Sequence, residues 1–391
     1  MNRDNRLIAL ALFLWGMGEG LFIFIQPLYL DQLGANPARI GEILSAFSLM
    51  AALSFLPAGI IADRAGRKRV IVSGWVLGAV SGVAMALAPD LRLFVPALLV
   101  YGTTAYVMPA LSSYIIAARG ELAPERALTS VYAGYSAGSI LSPALGGEIG
   151  KLLGLRTVYG VAAAFFVVST LVILLIRSQP VERSTTGLRY GALLRQRSFL
   201  GLCALFFFVF SVMGVGLPLA PKYLKDVRGL DVAVVGWFGS VQTIGAVLLN
   251  LSLGRRPARR VWVASQALLF LSTLLLWRGT WVGWLGLAYF LRASYGLART
   301  IANVLAGRDD APGQHGLAFG LVETIISLSY VGVSYLAGQL YTRNPEWPFL
   351  VTLALLPLTM GLSWFLAPRP APAQVPEVGL GAGAPIERPL E

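Results

Sequence analysis

The chain is 391 residues long, 56% hydrophobic and only 13% charged, with a mean hydropathy of +0.70. A soluble domain carries about 25% charged residues, so most of this surface faces lipid, and the chain reads as an all-α polytopic protein of the lipid bilayer. The net charge of +12 does not point to nucleic acid, because the basic residues are scattered or gathered at the ends of apolar runs with no aromatic-interleaved patch among them.

Runs of about 20 apolar residues mark about twelve spanning helices. They fall near 7–31, 40–62, 70–88, 92–117, 128–150 and 157–176, then 199–224, 232–254, 261–278, 281–305, 316–341 and 347–366. The first run is too long for a signal-peptide core and lacks a small-residue cleavage site, so it reads as a retained first span. The division is an N-terminal six-helix bundle (1–176), a central loop (177–198), a C-terminal six-helix bundle (199–366) and a tail (367–391). The loop carries Arg177, Arg183, Arg189, Arg195 and Arg197, and its second part (Leu188, Ala192, Leu193, Leu194) reads as an amphipathic helix on the inner leaflet. The tail, rich in Pro, Gly and Ala, has nothing to pack and is expected to be disordered. With the N-terminus in the cytoplasm, 20 Lys/Arg lie inside and 9 outside, leaving Arg292 and Arg299 within a helix. The positive-inside rule therefore sets both termini in the cytoplasm of a cell inner (plasma) membrane.

Ionisable side chains inside the spans are the functional candidates, since burying them is costly. Glu19 lies about 12 residues into the first helix, roughly 18 Å and near mid-bilayer. Gly16, Gly18 and Gly20 leave space beside it, and Gln26 follows seven residues on along the same face. Burial there favours the neutral acid, which suits reversible protonation. Arg292, Tyr295, Arg299 and Asn303 recur at intervals of three or four and form one polar stripe on the tenth helix. Arg299 and Glu323 both sit roughly 10 Å from the inner ends of their helices and are expected to form a salt bridge. Phe206, Phe207, Phe208 and Phe210 offer one or two rings to a lipophilic pocket, while Glu42, Glu148 and Lys222 lie near outer ends, where solvation is cheap, and receive no role. Cys203 is the only cysteine and His315 the only histidine, which excludes disulfides and clustered metal ligands and leaves little for nucleophilic catalysis. No phosphate-binding G-x-x-x-x-G-K-[ST] stretch is present, so ATP-driven pumping is not expected. No enzyme, metal or cofactor is expected.

Two motifs and a repeat organise the helices. Between the second and third spans runs Gly59-Ile60-Ile61-Ala62-Asp63-Arg64-Ala65-Gly66-Arg67-Lys68-Arg69, whose charges require it to lie at a membrane face. In the fifth span, Gly138-Ser139-Ile140-Leu141-Ser142-Pro143-Ala144-Leu145-Gly146-Gly147 offers small residues for close helix approach and a proline expected to kink it. Pro27-Leu28-Tyr29-Leu30 recurs as Pro221-Lys222-Tyr223-Leu224, Gly41 and Gly59 as Gly236 and Gly254, and Gly102 as Gly296, at a nearly constant offset. The order argues for duplication of a six-helix unit.

The loop motif resembles the signature between helices two and three of the major facilitator superfamily, and the resemblance extends along the whole chain. The fifth-span motif is similar to the G-x-x-x-G-P-x-x-G-G pattern of that family's drug and metabolite antiporters, with Ser142 where the family usually has Gly. The resemblance implies two pseudo-symmetric bundles with a substrate site between them near the midplane. It implies gating by Asp63, Arg64, Gly66 and Arg67, and helix packing by Gly138, Pro143, Gly146 and Gly147. Arg292-Ala293-Ser294-Tyr295-Gly296 resembles an R-x-x-x-G element that the family shows more often in helix four, where this chain has Leu98. Helices one, four, seven and ten line the cavity in this family, so Glu19 and Arg292 are expected to face one another. Substrate binding then falls to Glu19, Gln26, Arg292 and Tyr295, and proton coupling to Glu19.

The leading expectation is a monomeric secondary transporter exporting a small amphipathic organic compound in exchange for protons. The alternatives are an importer or facilitator of a sugar or organic acid, with Arg292 binding an anionic group, and a transport-inactive receptor or scaffold.

Overall fold

A computed structural model describes residues 1–179, 197–254, 256–306 and 315–367, apart from the side chains at 55–65, 125, 198 and 315–319. The amphipathic segment expected in the central loop and the tail from 368 lie outside the described residues, as do the side chains of Asp63 and Arg64. Each of the twelve apolar runs is helical. The N-terminal half contains α1 (Arg3–Ile23), α2 (Gln26–Gln32), α3 (Pro37–Ala65), α4 (Arg67–Leu87), α5 (Leu91–Thr103), α6 (Val107–Ala117), α7 (Pro124–Leu153) and α8 (Leu155–Leu174). The C-terminal half contains α9 (Arg197–Gly214), α10 (Ala220–Asp226), α11 (Val232–Leu253), α12 (Ala258–Arg278), α13 (Val282–Arg292), α14 (Ser294–Ala306), α15 (His315–Arg343) and α16 (Trp347–Leu366). Among the described residues, 8 helical segments are long and apolar enough to cross a membrane. Large apolar side chains such as Val80, Leu171, Phe207 and Phe365 face outward, as a lipid-facing surface requires.

Four of the runs read as continuous spans are interrupted. The first breaks between α1 and α2, the fourth passes through a 3-10 turn at Thr104–Tyr106, the seventh breaks over 215–219, and the tenth breaks at Ala293. The repeated prolines explain two of the breaks: Pro27 and Pro221 open α2 and α10 at the start of a helix, where a missing N–H costs nothing. These are the first, fourth, seventh and tenth spans, and broken helices at depth expose backbone carbonyls where side chains or a ligand meet them.

Chain reversals define two faces. At one, a single residue, Gly66, joins α3 to α4 with φ 86°, a left-handed value that favours glycine. At the other lie the turns near Gly34, Gly154 and Gly229, with Asp90 and Asp231 capping the helices that follow through Leu93 N–H (3.1 Å) and Val234 N–H (3.0 Å). The halves meet through α3 against α15 and α7 against α11. Near the Gly34 face one apolar core runs through both halves, joining Leu28 and Tyr29 to Leu219, Tyr223 and Phe349. Near the Gly66 face each half has its own core, built around Val70, Ile115 and Ile173 in one and around Phe206, Trp262 and Val322 in the other. The Gly34 face is therefore the closed one.

Candidate functional site

Two glycine contacts draw the halves together. Gly41 of α3 backs onto Gly338 of α15, and Gly147 of α7 onto Gly236 of α11, so closely that a Cβ on Gly41 would lie 2.8 Å from Gly338 Cα and one on Gly147 2.9 Å from Gly236 Cα. Gly41 and Gly236 are the repeat-related pair, so the duplication shows in the contacts as well as in the sequence. The fifth-span motif has two working sides. Gly138 and Gly146 abut the α1 backbone at Phe13 and Leu21, whereas Gly147 and Pro143 face α11. Pro143 lies within an unbroken helix, and the adjacent Ala144 N–H donates across the halves to Ser240 Oγ at 3.1 Å.

Polar contacts complete the closed face. Lys222 Nζ bonds Asp31 Oδ1 at 2.6 Å and Asp226 Oδ2 at 2.7 Å with only 7% of its side chain exposed. Trp237 Nε1–H donates to Glu148 Oε1 at 3.0 Å, and Lys151 pairs with Asp231 at 2.8 Å. The Lys151 ammonium, followed by the helix N–H of Val234, holds the Asp231 carboxyl below its ordinary range, at the rim outside the eighth span. The expectation that Lys222 and Glu148 are merely solvated is therefore corrected. Both bridge the halves, and Lys222 is buried because the repeated Pro-x-Tyr-Leu elements, α2 and α10, pack together at the centre of the molecule. That repeat is the signal available in the sequence.

Below this seal lies a cavity of about 390 Å³ lined from both halves, with Phe24, Gln26 and Phe47 on one side and Gln242, Arg292, Tyr295 and Arg299 on the other. Arg292 is buried, 8% exposed, and its Nη2 donates to Leu217 O at 2.7 Å, a carbonyl inside the break of the seventh span. Its guanidinium lies over the Tyr289 ring, 5.0 Å from the centroid. Among the described residues, Arg292 Nε and Nη1 have no hydrogen-bond partner, nor do Gln26 Nε2, Gln242 Oε1 and the Tyr295 hydroxyl. Gln242, an amide within the apolar eighth run, carries no motif that would single it out in the sequence. Phe210 packs edge-on against Tyr295 at 5.4 Å, while Phe207 and Phe208 point outward.

Arg299 Nε donates to Glu323 Oε2 at 2.8 Å, and Asn303 Nδ2 to Glu323 Oε1 at 2.9 Å. Glu323 is nearly enclosed at 6% exposure, whereas Arg299 is 49% exposed toward the cavity.

Glu19 is half-buried and accepts a 2.7 Å hydrogen bond from the Tyr135 hydroxyl of α7. It does not line the cavity with Arg292, and the two side chains engage different partners. The expected facing pair is thus corrected: Leu217 O claims Arg292, and Tyr135 claims Glu19. A second correction concerns the glycines. Gly16, Gly18 and Gly20 leave no free space, because α7 and α8 close onto them; a Cβ on Gly18 would lie 2.8 Å from the Phe166 ring, and one on Gly16 3.0 Å from Ser139 Oγ. Of the gating candidates, Arg67 Nη1 donates to Gln179 Oε1 at 3.3 Å, and Gly66 makes the turn already described.

A family model described as the Major Facilitator Superfamily matches residues 8–255 and 201–389. Among curated relatives, the multi-drug resistance efflux pump PmrA of Streptococcus pneumoniae is 27% identical over 63% of this chain, and the match spans 66% of that pump. Multidrug resistance protein 2 of Bacillus subtilis is 23% identical over 89% of this chain and 91% of its own. The quinolone resistance protein NorA of Staphylococcus aureus is 26% identical over 48% of each. Among solved structures, the nucleoside transporter NupG superposes with a TM-score of 0.76 at 15% identity, covering 93% of this chain and 98% of that one. A D-xylose-proton symporter gives 0.71 at 13%, covering 93% and 97%. At these identities the two structures speak to the fold alone.

Proposed function

Because this chain belongs to the major facilitator superfamily, we propose that it is a secondary transporter exporting a small amphipathic organic compound by alternating access, with Glu19 carrying the coupled proton. The observation that carries this reading is the Glu19 carboxyl, bonded to Tyr135 on the seam between α1 and α7. Glu323, by contrast, is already paired with the Arg299 cation and accepts a further hydrogen bond from Asn303. Among the described residues the partners of Glu19 are tyrosine hydroxyls, Tyr135 first, rather than a cation, which suits a carboxyl that takes up and releases a proton as the seam closes and opens. α7 meets both α1 and α11, so a change at the seam reaches the contact between the halves. The name of one curated relative, a multi-drug resistance efflux pump, supports outward transport.

The Gly66 face is assigned to the cytoplasm from the excess of Lys/Arg on that side. Single cysteines at Ala65 and Ala35, in a background lacking Cys203, should label from inside and outside respectively; the reverse pattern inverts the assignment. The closed Gly34 face then makes this the inward-facing form of a monomer working in the plasma membrane.

The unpartnered N–H groups of Arg292 favour a second reading, uptake or facilitated diffusion of an organic acid. Transport in proteoliposomes with and without an imposed pH gradient separates them. Export should accelerate when protons enter as cargo leaves, and indifference to the gradient favours the facilitator.

A further inference from the structure

The charges of the cavity do not balance. Arg292 is more than nine-tenths buried, yet only its Nη2 has a partner, a neutral carbonyl. A buried cation needs a counter-charge or a full set of hydrogen bonds, and both are missing at Nε and Nη1. Among the described residues, the acids nearest the cavity are committed elsewhere. Glu19 is bonded to Tyr135, Glu323 to Arg299 and Asn303, and Asp31 and Asp226 to Lys222. With the Arg299–Glu323 pair neutral overall, the charged lining of the cavity among the described residues sums to one uncompensated guanidinium.

That guanidinium is also held in place. The Leu217 carbonyl fixes it from the broken seventh span and the Tyr289 ring lies beneath it, so the free N–H groups need little further ordering when a ligand arrives. Gln26 Nε2, Gln242 Oε1 and the Tyr295 hydroxyl add unpartnered polar atoms to the same cavity, while Phe24, Phe47 and Tyr330 give it aromatic walls. About 390 Å³ suits a molecule of a few rings.

We infer that the ligand of this cavity is an amphipathic organic anion whose carboxylate or equivalent oxyanion accepts from the free N–H groups of Arg292 while its aromatic body lies against the walls. The inference rests on the reading of this cavity as the transport site but not on proton coupling or direction. Arg292 is then the specificity-determining residue, and a neutral isostere of the cargo leaves its N–H groups unpaired.

The test needs no gradient. Calorimetric binding to the purified full chain in detergent is measured for benzoate, 2-naphthoate and 2-anthroate and for their carboxamides. At least one acid should bind roughly 10- to 100-fold tighter than its own amide, the range of a charge-assisted hydrogen bond. The preference should vanish in Arg292→Gln and persist in Gly160→Val, a position outside the cavity lining where a Cβ meets nothing within 4 Å. Should Arg292→Gln not fold, Arg292→Lys keeps the charge and loses Nε, and should weaken acid binding at least about threefold while leaving amide binding unchanged. The inference is overturned if no acid outbinds its amide, if the preference survives Arg292→Gln, or if Arg292→Lys binds acids as the wild type does. Failure of proton coupling would show only in liposomes, with the acid–amide ratio intact.

Discussion

Lys222 reaches from α10 to Asp31 of α2 at 2.6 Å, so the two repeat-related Pro-x-Tyr-Leu elements are pinned to each other across the halves of the protein. Only the Asp31 contact crosses the halves, Asp226 lying on the same helix as Lys222, and removing the buried ammonium leaves two partly exposed carboxylates without their cation at the seam. Lys222→Met should therefore loosen the Gly34 face. The rate at which an impermeant maleimide labels a cysteine at Leu217 from that side, without Cys203, should rise several-fold. An unchanged rate would show that the apolar core alone keeps the face shut.

The glycine contacts make a second, steric prediction. A side chain at Gly147 must displace the backbone of Gly236, which has no flexible end to move away. Gly147→Val should prevent closure and lower transport at least about tenfold. Gly160→Val, where a Cβ meets nothing within 4 Å, should leave transport near the wild-type rate. Equal losses in the two variants would mean that general destabilisation, not the interface, is being read.

Arg299 and Glu323 give a third. Removing Arg299 leaves an enclosed carboxylate with only Asn303, whereas removing both charges leaves nothing stranded. A double-mutant cycle with Arg299→Gln and Glu323→Gln, read by unfolding in detergent, should give a coupling of about 1 kcal/mol or more. Additive losses would show that the pair does not hold the fold.

Much of this architecture is legible in the sequence because bilayer thickness forces long apolar runs, and the runs are helical where hydropathy puts them. The family follows from the loop at Gly66 and the fifth-span glycines. What escapes is depth and direction. The breaks in the first, fourth, seventh and tenth spans leave hydropathy intact, so they do not register as gaps. Lys222 misleads because position along a helix says nothing of whether the helix end meets water or its pseudo-symmetric partner. The glycines around Glu19 mislead for a related reason: a missing side chain is the same in sequence whether the room is left open or taken up by Phe166. Arg292 stands out as a buried cation, but its partner, a backbone carbonyl, has no sequence signature.

The central claim is that Glu19 carries the coupled proton, and Glu19→Gln tests it most directly. The amide keeps the shape of the protonated acid and the contact with Tyr135, but releases no proton. Two rates are measured on the same proteoliposomes with one cargo: transport driven by an imposed pH gradient, and exchange of labelled for unlabelled cargo without a gradient. The account predicts that Glu19→Gln loses the gradient-driven rate, falling by at least about 100-fold, while exchange stays within about threefold of wild type. Gradient-driven transport at the wild-type rate in Glu19→Gln contradicts it.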